Sequence, residues 1–215
     1  MKRIHFHILH LTENILRNMI VITNPSAVAD EIGIIDSLFE EGLSLLHIRK
    51  PNFSEVETAK FIHQIKHQYR ENLVLHHHHQ IAADFGINRI HFSETERKKM
   101  INFTELSDFV LSTSTHSIED FNALKNIFEY AFLSPVFPSI SKKNYSSQTN
   151  LFEAIKQREN FNTKIVALGG IYSGNIEQPL QNGFDNIALL GTIWNSPNPI
   201  KNFKLCQKIV LSLSA

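Results

Sequence analysis

Tyr130-Ala131-Phe132-Leu133-Ser134-Pro135-Val136-Phe137-Pro138-Ser139-Ile140-Ser141-Lys142 runs from a short apolar segment into hydroxyls and an ammonium. Lys164-Ile165-Val166-Ala167-Leu168-Gly169-Gly170-Ile171 repeats the pattern with a glycine pair in place of the hydroxyls. Each apolar run reads as a buried strand, so each following stretch lies where a parallel strand hands over to a loop. That edge is where α/β folds carry their chemistry. Ser139, Ser141 and Lys142 offer donors to an anion, and Gly169 and Gly170 let backbone N–H groups approach an oxyanion. Together they predict a barrel that holds phosphorylated ligands.

Working outward, short apolar runs recur along the chain. They are Met19-Ile20-Val21-Ile22, Leu45-Leu46-His47-Ile48, Leu73-Val74-Leu75, Arg89-Ile90-His91-Phe92, Phe109-Val110-Leu111-Ser112 and Ile187-Ala188-Leu189-Leu190. Their lengths fit strands buried on both faces. Amphipathic stretches lie between them: Ile32, Ile35, Leu38 and Phe39 share one helical face, as do Ala59, Ile62 and Ile65. Ser54 with Glu57 makes a capping box, Ser117 with Asp120 a weaker form, and Pro199 opens a last helix toward Leu213. The fourth helix, Thr95 to Met100, reads as little more than a turn. Alternating strand and helix argue for a closed (β/α)8 TIM barrel over residues 19–215 rather than an open sheet. Residues 1–18, where Ile4, Phe6 and Ile8 alternate with His5 and His7, read as a peripheral arm.

Composition narrows the function classes. The 215 residues are 42% hydrophobic, enough for the core of one barrel. Basic and acidic residues number 21 each, which removes the bulk electrostatic case for nucleic acid or a membrane surface. No run has the apolar length of a membrane span, and the start lacks a signal-peptide core. Cys206 is the only cysteine, so no internal disulfide forms, and a reducing, cytoplasmic setting is expected. Nothing in the composition speaks against a homo-oligomer.

With the strands placed, polar residues gather at strand ends: His47, Arg49 and Lys50 after the second; His76-His77-His78-His79 after the third; Ser93, Glu94 and Glu96 after the fourth; Ser114 and His116 after the fifth; Gly191 and Thr192 after the eighth. In a barrel all these loops share one rim. The histidine run is internal, and strand alternation sends at most half of it into the mouth, with His76 and His78 on the pocket side. A solvated turn is the preferred reading of that run over a zinc or nickel site. His91 points to the packed interior and reads as structural, while Arg89 and the Lys98-Lys99 pair read as solvated surface.

In this order and spacing the pieces resemble the thiamin phosphate synthase/TenI family of barrel enzymes. Ile22-Thr23 is similar to its opening strand end, His47-Ile48-Arg49-Lys50 to its Gln/His-x-Arg-x-Lys segment, and Ile90-His91-Phe92 to its Val-His-Leu strand. Ser114-Thr115-His116-Ser117 is similar to its Ser-x-His turn, Ser134 to Lys142 to its Gly-Pro-x-Phe-x-Thr-x-Thr-Lys loop, and Ala167 to Ile171 to its Ala-Ile-Gly-Gly-Ile. The loop after the sixth strand and the double glycine are the specific elements.

The resemblance implies an enzyme that joins hydroxymethylpyrimidine diphosphate to a thiazole phosphate and releases pyrophosphate. Arg49, Ser139, Ser141 and Lys142 would hold the diphosphate, with His47, Lys50, His76 and Ser114 beside them. Gly169, Gly170, Gly191 and Thr192 would hold the thiazole phosphate. Magnesium would be the cofactor, but alignment on His91 puts His76-His77 where such synthases carry Asn-Asp, leaving His77 and Glu96 as the metal candidates. Magnesium prefers oxygen, so His77 is a poor replacement. Pro51 likewise stands where the family lysine stands, with Lys50 displaced by one. The alternative within the family is a TenI-type thiazole tautomerase, which uses His116 as acid/base and no metal. The third reading is a non-catalytic binder of phosphorylated ligands on the same barrel.

Overall fold

The computed structural model describes residues 19–100, 102–138 and 150–213. The expected arm and the side chains of Ser139, Ser141 and Lys142 lie outside the described residues. Eight strands form the barrel: β1 (Ile20–Ile22), β2 (Leu45–Ile48), β3 (Leu73–Leu75), β4 (Arg89–Phe92), β5 (Val110–Thr115), β6 (Phe128–Leu133), β7 (Lys164–Leu168) and β8 (Asn186–Leu189). They pair in parallel in sequence order, and Ile20 registers with both Leu45 and Ala188, so β8 closes on β1.

Alternation along each strand explains the two apolar layers. Ile20, Ile22, Leu45, Val74, Tyr130, Phe132, Val166 and Ala188 pack inside the barrel. Their chain neighbours, among them Val21, Leu46, Leu75, Ala131 and Ala167, pack outward against the helices. Both faces of the sheet are therefore covered by packed side chains, as the continuous apolar runs foretold.

The helices are α1 (Glu31–Glu40), α2 (Glu55–Gln64), α3 (Glu94–Lys99), α4 (Ile118–Asn122), α5 (Leu151–Ala154), α6 (Glu177–Gln181), α7 (Gly191–Trp194) and α8 (Pro199–Ser212). The capping box of Ser54 and Glu57 forms, and Ser117 accepts from the Asp120 N–H. α3 is a true helix where the sequence promised only a turn, because Ser93 and Glu96 make a second capping box. Between β3 and β4 two 3-10 turns, His79–Ile81 and Ala83–Phe85, stand in place of a helix.

Arg89 corrects an expectation. It is buried rather than solvated, and its guanidinium bonds Glu129 at 2.9 Å. It lies on β4 two residues before His91, so strand alternation sends both side chains to the same face. Among the described residues no helix is long and apolar enough to cross a membrane.

Candidate active site

The two stretches that decide the fold meet in space. The Val136 and Phe137 N–H groups donate to the Leu168 and Gly169 carbonyls at 3.0 and 3.2 Å. Gly169 and Gly170 have φ of 106° and 66°. A Cβ on Gly169 would fall 2.8 Å from Pro135 Cβ, and one on Gly170 would fall 2.4 Å from the Pro138 carbonyl oxygen. The glycines are thus required by backbone contact as well as by conformation.

Beside this junction a cavity of about 700 Å³ opens at the C-terminal ends of the strands. Arg49, His76, His77, His91, Glu94, Glu96, Ser114, His116, Gly169, Gly170 and Gly191 line it, so most candidates from the sequence converge. Among the described residues the amides of Gly169, Gly170 and Gly191 donate to no loop or turn carbonyl.

Local contacts set each side chain. The Thr23 hydroxyl accepts from the Arg49 N–H at 2.9 Å and donates to its carbonyl at 3.3 Å, which fixes the backbone that carries the guanidinium. His116 donates from Nδ1 to the Ser134 carbonyl at 2.8 Å, and its Nε2 lies 3.8 Å from Glu94. Glu94 also pairs with Lys98. His77 Nδ1 lies 3.9 Å from one oxygen of Glu96. The other oxygen accepts from the Ser93 N–H and hydroxyl at 2.8 and 2.6 Å.

Three expected ligand contacts fall elsewhere. Lys50 points away from the cavity and is buried, with Nζ 2.7 Å from both oxygens of Glu31 and 3.1 Å from the Ser26 carbonyl. It follows Arg49 directly, so the chain turns the two side chains to opposite sides. The Thr192 hydroxyl is spent on the Ile171 carbonyl at 2.5 Å. His47 lies beneath the cavity, fully buried. In the histidine run it is His76 and His77 that reach the cavity, because His78 turns to the Phe53 carbonyl at 2.8 Å.

Under the cavity, His47 Nδ1 lies 2.8 Å from His76 Nε2, and His47 Nε2 lies 2.6 Å from the Tyr130 hydroxyl. The two nitrogens of His91 each lie 2.9 Å from a hydroxyl, Ser112 for Nδ1 and Ser114 for Nε2. Burial drives all three imidazoles well below the usual histidine range, His91 to about 3. They are uncharged at neutral pH. Sequence reasoning missed Tyr130 and the cavity residue Asn24. Tyr130 was readable as inward-facing from its alternation with Phe132, and Asn24 from its place just after β1.

Residues 19–193 match the thiamine monophosphate synthase (TMP-TENI) family. The chain belongs to this family. The thiamine-phosphate synthase of Clostridium tetani is 28% identical over 170 residues, 74% of this chain and 78% of that protein. The crystal structure of thiamine phosphate pyrophosphorylase from Bacteroides thetaiotaomicron superposes with a TM-score of 0.73 at 29% identity, over 92% of this chain and 99% of that one. The Pyrococcus furiosus thiamine phosphate pyrophosphorylase gives the same TM-score at 17% identity, over 93% and 98%. That likeness concerns the fold alone.

The magnesium of such synthases is not well served by this rim. Two carboxylates reach the cavity, but Glu94 is paired with Lys98 and half of Glu96 caps α3, while His77 offers nitrogen. A small hard cation that seeks oxygens in octahedral order does not fit that set.

Proposed function

We propose that the protein is a transferase of thiamin biosynthesis, joining hydroxymethylpyrimidine diphosphate to a thiazole phosphate with release of pyrophosphate. The observation that carries the reading is the junction of the loop after β6 with Gly169-Gly170, beside Arg49 on the same cavity. The family match and the synthases named above support it.

In this reading the thiazole phosphate sits against the amides of Gly169, Gly170 and Gly191, where backbone donors replace water without reorganising. The diphosphate faces Arg49, whose fork matches paired oxygens. Ser139, Ser141 and Lys142 join it from the loop after β6. As the C–O bond to the pyrimidine methylene breaks, charge builds on the departing pyrophosphate, and these cationic and hydroxyl donors stabilise it. The single, buried cysteine supports a cytoplasmic setting.

His116 supports a second reading, a thiazole tautomerase. One ring nitrogen is fixed on the Ser134 carbonyl while the residue lines the cavity, the arrangement of a proton shuttle. One experiment separates the two. The protein is given both phosphorylated substrates with magnesium and pyrophosphate release is followed; separately it is given the thiazole tautomer alone. For a synthase, Arg49→Ala lowers turnover by roughly 10²–10³ and His116→Asn has a mild effect. A tautomerase reverses the order, His116→Asn costing roughly 10²–10⁴. Absence of pyrophosphate release in the first assay overturns the synthase reading.

A further inference from the structure

We propose that the floor of the cavity is a binding site for a borderline divalent transition metal such as zinc, formed by His47, His76 and His91. The inference stands apart from which reaction the cavity runs, because it rests on the geometry of these three residues.

One nitrogen of each ring lies within 4.8 Å of one nitrogen of each of the others, and all three residues are buried. Tetrahedral zinc holds imidazole nitrogens at about 2.0–2.1 Å, so the set closes by a modest contraction. His76 and His91 also line the cavity, which leaves the fourth position toward the ligand. Three protein ligands with one open position is the layout of a catalytic rather than a structural zinc site.

The surrounding hydrogen bonds fit this use. His47 Nε2–H donates to the Tyr130 hydroxyl. Tyr130 also shares a side-chain hydrogen bond with Ser112. His91 Nδ1–H donates to the Ser112 oxygen, and the Ser112 hydroxyl donates onward to the Ile90 carbonyl at 3.4 Å. In this one proton arrangement the unprotonated nitrogens are His47 Nδ1 and His91 Nε2, which accept from His76 and Ser114, and each ring has its far nitrogen held. Such outer partners orient metal-bound histidines in general. His76 Nε2 already faces His47 Nδ1. Metal binding moves the His76 proton to Nδ1 and takes His91 Nε2 from Ser114. The stacked rings of His76 and His91, with centroids 4.2 Å apart, must tilt toward each other. The donor set is all nitrogen, which suits zinc, cobalt or nickel and disfavours magnesium.

The test uses the full chain, stripped with a chelator and titrated with Co²⁺ and Zn²⁺. The expected result is one equivalent of Co²⁺ giving the intense visible bands of a tetrahedral ion, displaced by Zn²⁺. His76→Asn abolishes those bands. Tyr130→Phe, which keeps the packing and removes only the hydroxyl that holds His47, weakens zinc by about 10–100-fold. His77→Gln and Glu96→Gln leave the spectrum unchanged, since they sit at the rim. Absence of tetrahedral bands overturns the proposal. So does binding that survives His76→Asn, or binding lost with His77→Gln, which assigns the ion to the rim.

Discussion

Lys50 and Arg49 are adjacent in sequence and carry the same charge, yet they serve different ends. Arg49 lines the cavity, whereas Lys50 forms a buried ion pair with Glu31. The pair ties the segment just after β2 to α1, and its value is in keeping two charges compensated inside the fold. Lys50→Met therefore leaves the Glu31 carboxylate buried without its counter-ion. It should cost about 3–5 kcal/mol of stability, measured by urea denaturation. Adding Glu31→Leu should restore most of the loss. A Lys50→Met protein of normal stability and impaired substrate binding would mean that Lys50 reaches the ligand after all. The sequence could not separate the two cations, because a strand end fixes which side a residue leaves the sheet only when its exact last residue is known.

At the scale of elements, the strands were legible because buried parallel strands are short and apolar on both faces. β2, β3 and β4 match the expected runs residue for residue, while β5 and β6 extend beyond theirs. β5 runs on through Thr113, Ser114 and Thr115, polar residues that an apolar pattern excludes but whose hydroxyls find carbonyls or His91 in the sheet. The residues just after β6, 134–138, and the end of β7 form one unit, since the Val136 and Phe137 amides bond the Leu168 and Gly169 carbonyls. That unit supplies a prediction. Gly170→Ala meets both a left-handed φ of 66° and the Pro138 oxygen at 2.4 Å. Gly86→Ala meets a similar φ of 70° with nothing within 4 Å. The conformational cost alone is about 1–3 kcal/mol in both. Gly170→Ala should exceed Gly86→Ala in lost stability and, unlike it, abolish calorimetric binding of thiazole phosphate. Equal effects of the two substitutions would deny the junction its role in holding phosphate.

Over the whole molecule, closure of the barrel brings Arg49 and Gly191 to one rim although 142 positions separate their numbers (191 − 49). That convergence was legible, since it follows from strand order. The polar interior was not, because the sequence shows His47, His76 and His91 as separate residues, each with an ordinary explanation. Their common burial makes a prediction about acid. In the unfolded chain each titrates near 6.5. In the fold each is lowered, chiefly by burial, His91 to about 3. Between those values the unfolded chain binds more protons than the native one, so stability falls as pH drops. The stabilisation is complete above about pH 6.5 and declines below it by up to about 1.4 kcal/mol per pH unit for each histidine. His77 and His79 are lowered too and act in the same sense, while Glu31, raised by burial, opposes them. The carboxylates with lowered values, Glu57 and Glu119, titrate below the window from pH 6.5 to 5. Denaturation midpoints measured with chelator present should therefore be level from pH 8 to 7 and fall steeply from 6.5 to 5. His76→Asn should make that fall shallower, since one buried imidazole no longer has to be kept uncharged. A midpoint that stays level to pH 5 would mean that the three imidazoles accept protons in the folded barrel, and that the floor of the cavity is wet rather than sealed.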